Sequence, residues 1–194
     1  MARRSTFRDP PRDRKLRATV RFVKTGAELD AARSLLAEYL GWLIEHREVT
    51  AFDDSVLKAG VEDFHRELHS LPGPYAPPRG ALILAFEGSV PVGCGALKPL
   101  TGDRGEIKRI YVRAGSRGSG LGRRVTRALV NRARALGYRE VVLDTLPKMT
   151  AAISLYRSEG FVPIGRYWAH PVPDALFFGK DLRPGRPALR LKRK

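Results

Sequence analysis

Residues 105–123 read GEIKRIYVRAGSRGSGLGR, and how this stretch is parsed decides the fold. Glu106 to Val112 (EIKRIYV) has the β-branched and aromatic content of a buried strand. Arg117, Gly118, Gly120 and Gly122 follow, just as an apolar periodicity of helical spacing begins at Leu121. A strand that breaks into a glycine-rich turn at a helix N-terminus makes an anion site. Backbone N–H groups point outward there, and no Cβ holds a phosphate away. Arg117, Arg123 and Arg124 also crowd the positive end of a helix dipole, where cations are disfavoured by about 0.3–1 kcal/mol each unless an anion sits among them.

Working outward on the N-terminal side, Leu16, Ala18, Val20 and Phe22 alternate with polar residues, the period of a half-buried first strand. Leu29, Ala32, Leu35, Leu36, Tyr39, Leu40 and Leu43 then fall at helical spacing, and a second helix is expected from Asp54 to Leu71, ended by Pro72-Gly73-Pro74. Ala81 to Phe86 and Val90 to Leu97, joined by Glu87-Gly88-Ser89, predict a hairpin, and a turn at Thr101-Gly102-Asp103 makes strands two to four an antiparallel meander. On the C-terminal side, Leu121, Val125, Ala128, Leu129, Ala133 and Leu136 form the apolar face of a helix closed by Gly137. The strand EVVLDTL follows, completing a βαβ unit with a parallel pair. A helix over Thr150–Ser158 and strands at Phe161–Ile164 and Ala175–Asp181 finish the chain.

The 194 residues suit one domain, expected over 16–182, between a basic tail at 1–15 and another at 183–194. Of the net charge of +16, residues 1–19 carry +5 and residues 183–194 carry +6, leaving +5 for the rest. Both tails have the composition of disordered segments. They read either as solubilising ends or as a tether that neutralises nucleic-acid phosphates, with only Phe7 available for base stacking. The longest apolar run, Ala81–Phe86, is far short of a membrane span. One cysteine, Cys94, excludes an internal disulfide and suits a reducing, cytoplasmic compartment. No secretory leader is visible, and Asp9 and Asp13 argue against a transit peptide. His65 and His69 share one helical face but no third ligand of suitable spacing accompanies them, so no metal site is expected.

Competing readings of the glycine turn narrow quickly. No Gly-x4-Gly-Lys-Ser/Thr is present, so a Walker A loop is excluded. A dinucleotide fingerprint starting at Gly118 would place Arg123 in its last glycine slot, and the single βαβ unit does not supply that fold, although Asp144 lies at a suitable distance for a ribose contact. A plain tight turn would need one glycine, not three.

The order strand, R-x-x-G-x-G (Arg117, Gly120, Gly122), helix, strand and then A-I-x-L-Y-x-x-x-G-F (Ala152 to Phe161) resembles the GCN5-related N-acetyltransferases, the GNAT superfamily. The resemblance implies a mixed, mostly antiparallel sheet of six to seven strands, splayed between strands four and five and flanked by about four helices. It implies acetyl-CoA as cosubstrate, lying along Ile110, Tyr111 and Val112 with its pyrophosphate on Arg117, Gly118, Ser119, Gly120, Leu121, Gly122 and Arg123. It implies an N-acetyltransferase that moves acetyl to a primary amine of a small molecule or peptide by direct attack in a ternary complex, and it is compatible with a homodimer. A backbone N–H near Tyr111 or Val112 would face the thioester carbonyl, a donor worth about 2.7–4 kcal/mol. Tyr156 is similar to the residue that protonates the departing thiolate, and Glu106 to a general-base glutamate. The chain departs from the family in one place: Met149 stands where many members carry an asparagine that contacts the pantetheine arm. Tyr39, Trp42, Tyr75, Tyr167, Trp168 and His170 are the aromatic candidates for an acceptor wall. A non-catalytic acyl-CoA sensor, or a nucleic-acid-associated protein working through its tails, is the alternative from another class.

Overall fold

A computed structural model describes residues 18–46 and 54–183. The two expected tails therefore lie outside the described residues, apart from Arg183. Seven strands form one sheet in the order β1-β2-β3-β4-β5-β7-β6. They are β1 (Ala18–Phe22), β2 (Ala81–Glu87), β3 (Val90–Pro99), β4 (Arg104–Val112), β5 (Glu140–Thr145), β6 (Val162–Pro163) and β7 (Leu176–Asp181). Among the described residues four α-helices flank it: α1 (Gly26–Glu45), α2 (Asp54–Ser70), α3 (Leu121–Ala135) and α4 (Thr150–Ser158).

Helix α1 starts at Gly26 because Thr25 and Glu28 form a capping box: the Thr25 hydroxyl accepts from the Glu28 amide at 3.2 Å, and the Glu28 carboxylate accepts from the Thr25 amide at 3.2 Å. Its buried face (Ala32, Leu35, Leu36, Leu40) joins Phe64 and Leu68 of α2 on one side of the sheet, against Leu82, Leu84, Phe86, Cys94 and Ala96. The other side is covered by α3 and α4, whose Leu121, Val125, Leu129, Ala133 and Tyr156 pack on Ile83, Ala85, Leu97, Ile107, Val141 and Leu143. Alternate residues of β2 thus serve opposite cores, as the pleat requires. At Gly95 a Cβ would stand 2.6 Å from the Val125 side chain, so the glycine lets α3 settle on β3.

The antiparallel meander and the parallel β4–β5 pair both form as expected. That parallel pair is short. It joins Arg104–Glu106 to Glu140–Val142 and stops, although β4 continues to Val112 and β5 to Thr145. Beyond Glu106 the sheet is therefore split, and the β5-facing backbone of β4 has no strand partner among the described residues.

Candidate active site

The split is accompanied by a bulge in β4. Cys94 faces Tyr111 and Ala96 faces Lys108, so Gly95 alone opposes Arg109 and Ile110. Arg109 adopts φ 61°, a left-handed conformation that costs a non-glycine residue roughly 1–2 kcal/mol. Its side chain supplies the compensation. The guanidinium donates to both Glu67 oxygens, Nε to Oε1 at 2.8 Å and Nη2 to Oε2 at 2.6 Å, and lies 4.0 Å from the centre of the Phe64 ring. Tyr75 donates its hydroxyl to Glu67 Oε1 at 2.7 Å. An ion pair from α2 thus fixes the bulge from which Ile110, Tyr111 and Val112 run to the end of β4. The buried Cys94 thiol, pushed up to about 12 by burial, caps the Arg109 carbonyl at 3.5 Å and offers no thiolate.

A single 3₁₀ turn at Ala114–Ser116 follows β4 and leads into the glycine turn. Gly118 and Gly120 have φ 79° and 83°, and a Cβ added at either would meet nothing within 4 Å, so both left-handed positions border open space. Gly120 is the N-cap of α3, where the Arg124 amide donates to its carbonyl at 3.1 Å. The amides of residues 118–123 find no acceptor among the described residues. They form a row of unspent donors at the positive end of a fifteen-residue helix. Ser119 folds back to Ser116 O at 2.6 Å. The arginine side chains are held aside: Arg117 Nε donates to Val112 O at 3.0 Å, Arg123 Nε stands 3.1 Å from Glu159, and Arg124 donates to Ala18 O at 2.6 Å. Leu121 is buried in the core, and Gly122 lets Leu155 of α4 approach to 3.4 Å of where its Cβ would be. The cradle is therefore backbone, with little side-chain charge in it.

Tyr156 projects from α4 into the core below the split, 5.9 Å from the Phe161 ring and 6.4 Å from Phe178. Burial pushes its phenol well above the ordinary value, so the hydroxyl keeps its proton. Met149 is the N-cap of α4 and receives a hydrogen bond from the Thr145 hydroxyl on its sulfur at 3.7 Å.

On the α1/α2 face of the sheet, β3, β4, β5 and the segment before β7 bring six polar side chains together. Glu106 is 3% exposed. Its Oε2 lies 2.9 Å from Lys98 Nζ, and its Oε1 accepts from the Tyr167 hydroxyl at 2.9 Å and from Lys108 at 3.4 Å. Lys108 and Tyr167 also reach Asp144 Oδ1, each at 3.3 Å. His170 places Nε2 3.6 Å from Asp144 Oδ2, while its Nδ1 accepts from the Val172 amide at 3.0 Å, the shorter of its two contacts with Val172. Burial works to raise the Asp144 carboxyl, but the His170 hydrogen bond and the Lys108 charge outweigh it and hold the group well below the usual carboxylate range. Burial and the two carboxylates push the Tyr167 phenol strongly upward, so it too stays protonated.

The six aromatic candidates separate. Tyr167, Trp168 and His170 join this cluster, with the Lys108 ammonium 5.3 Å from the Trp168 ring centre. Tyr39 packs on Tyr111 at 5.5 Å, next to the bulge. Trp42 lies on the cradle side, 5.5 Å from the Arg117 guanidinium. Tyr75 is core, 1% exposed, its hydroxyl spent on Glu67. Sequence reasoning missed Lys98 and Asp144 as members of the cluster, and the Glu67–Arg109 pair. Asp144 carried a signal of its own, an acid directly after the apolar run Val141–Leu143 within a strand.

A split sheet with an amide cradle at the mouth of the split is the geometry against which relatives can be compared. The acetyltransferase (GNAT) family model matches residues 36–161. The chain belongs to the GNAT acetyltransferase family. An uncharacterized N-acetyltransferase of Schizosaccharomyces pombe is 32% identical over 162 residues, spanning 82% of this chain and 92% of that one. A GNAT-family acetyltransferase structure from Staphylococcus aureus superposes with a TM-score of 0.65 at 18% identity, over 86% of this chain and 100% of the other. A putative acetyltransferase from Salmonella typhimurium, solved with its cofactor acetyl-CoA, gives 0.59 at 20% identity, over 90% and 99%. This GNAT protein is accordingly an acyl-CoA-dependent N-acyltransferase. No helix among its described residues is long and apolar enough to cross a membrane.

Proposed function

We propose that the protein moves acetyl from acetyl-CoA to a primary amine by direct attack within a ternary complex. The observation that carries this reading is the run of partner-free amides at 118–123, at one end of a split whose α1/α2 face carries the Glu106 cluster. The residues present suit the cosubstrate. The amides of 117–122 would take its pyrophosphate, with Arg117 and Arg123 at the rim, and the unpaired edge of Ile110–Val112 would receive its amide-bearing arm. Acetyl-CoA supplies the activated acyl group.

The chain's own groups divide the remaining work. A β4 amide at Tyr111 or Val112, aimed by the bulge, donates to the carbonyl oxygen where negative charge grows. Tyr156 holds a proton for the leaving sulfur, because burial keeps its phenol neutral across the working pH range. Glu106 accepts the proton of the amine, with Tyr167 orienting its Oε1.

A free-thiol release assay with acetyl-CoA across an amine panel tests the reading, and thiol release dependent on both substrates is expected. Strong acetyl-CoA-dependent thermal stabilisation without release would instead mark an acyl-CoA sensor, since ligand at 100 times Kd adds about 2.7 kcal/mol. A bell-shaped pH profile whose acidic limb survives Glu106→Gln would remove Glu106 from the mechanism.

A further inference from the structure

The polar cluster is already neutralised by the protein itself. Its two carboxylates, Glu106 and Asp144, are matched by two ammonium groups, Lys98 and Lys108. Each Glu106 oxygen already has a partner, Oε2 one (Lys98) and Oε1 two (Lys108 and Tyr167), which leaves a single lone pair on Oε2 for a proton. Asp144 spends Oδ1 on Lys108, with the Tyr167 hydroxyl 3.3 Å away as a donor shared with Glu106, and turns Oδ2 toward His170. Glu67, the remaining carboxylate near the bulge, is bound by both nitrogens of the Arg109 fork and by Tyr75. An incoming dication would find no free carboxylate and would meet two like charges, a costly arrangement in a partly buried site.

The donors tell the opposite story. An ammonium carries three N–H donors. Among the described residues Lys98 uses one, on Glu106, and Lys108 uses two, on Glu106 and Asp144. Exposure points the same way. Lys98 is 30% exposed against 3% for Glu106, so a ligand approaching this part of the cluster meets the cation before the carboxylate behind it.

We infer that the acceptor is an amine bearing its own carboxylate, an amino-acid-like compound, and that Lys98 and Lys108 select it by taking that carboxylate. The substrate's anion uses the unspent N–H donors, which leaves its amine beside Glu106. Trp168, 38% exposed and stacked over Lys108, shields that contact from water. Amines without an anion, polyamines and lysine side chains among them, are disfavoured by the same two charges. The inference rests on the acetyl-transfer reading and deepens it at the acceptor side.

Matched pairs that differ only in the carboxylate test it: leucine against isopentylamine, and phenylalanine against phenethylamine, with spermidine as a polycation. In the full chain, kcat/KM from thiol release is expected to favour each amino acid over its decarboxylated partner at least about tenfold. Lys108→Met should shrink that ratio to within about threefold by lowering the amino-acid value, and Lys108→Arg should restore part of it. Saturation-transfer NMR of the same pairs on the coenzyme A-bound chain gives a readout independent of turnover, with signal expected for the amino acids only. Turnover of isopentylamine or spermidine equal to or better than that of leucine would overturn the acceptor assignment while leaving acetyl transfer intact. Amino-acid binding without thiol release would overturn acetyl transfer while leaving the carboxylate-selective site intact. Neither binding nor turnover of any of the five amines would end both.

Discussion

The two walls of the split are made of different material. On the cradle side, the groups proposed to hold the cosubstrate are backbone amides at residues 118–123, and the nearby arginine side chains are tied elsewhere. On the Glu106 side, the working groups are side chains, paired with one another before any ligand arrives. Backbone donors at a helix N-terminus fit a constant feature such as a pyrophosphate, whatever the acyl group or acceptor. Paired side chains can be retuned one residue at a time, which suits a site that must choose among acceptors. The bulge joins the two walls, because Arg109 belongs to the strand that enters the cradle while its partner Glu67 belongs to α2 on the other face.

That junction gives the largest expected effect. Arg109→Met leaves the partly buried Glu67 with Tyr75 as its remaining partner and should cost about 3 kcal/mol in chemical denaturation, as for a charged group stripped of its main hydrogen-bond partner. A loss under about 1 kcal/mol would mean that the ion pair does not hold the bulge. Next comes Tyr156→Phe, expected to lower kcat by roughly 10²-fold or more, the usual scale for a lost proton donor, without changing acetyl-CoA affinity. Equal losses in kcat and affinity would make Tyr156 a packing residue. Gly120→Asp keeps a short side chain in open space but sets an anion in the cradle; acetyl-CoA binding by calorimetry should weaken about 100-fold, or 2.7 kcal/mol. An unchanged Kd would take the pyrophosphate out of the cradle.

The smallest effect separates the walls by pH. The folded-state value of Asp144 is depressed, so its stabilisation is complete above the unfolded-chain value near about 3.9 and is lost as pH falls toward the folded value. Below about pH 4 the wild-type chain should therefore lose stability more steeply than Asp144→Asn, by up to about 1.4 kcal/mol per pH unit. Parallel curves would mean that the lysine and histidine contacts do not favour the ionised carboxylate.

How much of this was legible in the chain follows the same division. The cradle is local: strand, three turn glycines and the start of the helix lie within residues 105–123, and left-handed glycines at a helix start announce themselves by spacing. The meander, the βαβ unit and the helix faces were legible for the same reason, since each depends on periodicities of two or 3.6. The acceptor side is assembled across the sheet. Tyr167 meets Glu106 across 61 positions, Lys108 meets Asp144 across 36, and Arg109 meets Glu67 across 42. No local pattern encodes such pairings. Tyr75 shows the converse: it was a candidate for the acceptor wall, yet the short 3₁₀ turn at Gly73–Tyr75 folds it into the core. The left-handed Arg109 was equally hidden, because a non-glycine residue takes that conformation only where its tertiary contacts impose it.

The contrast between a backbone-built cofactor wall and a side-chain-built acceptor wall is tested most directly by amide hydrogen exchange on the intact chain, with and without saturating coenzyme A. The account predicts that the amides of residues 118–123, which have no acceptor among the described residues, gain the largest protection, while those around Trp168 and His170 change little. Protection concentrated at 167–172, with 118–123 exchanging as before, would contradict it.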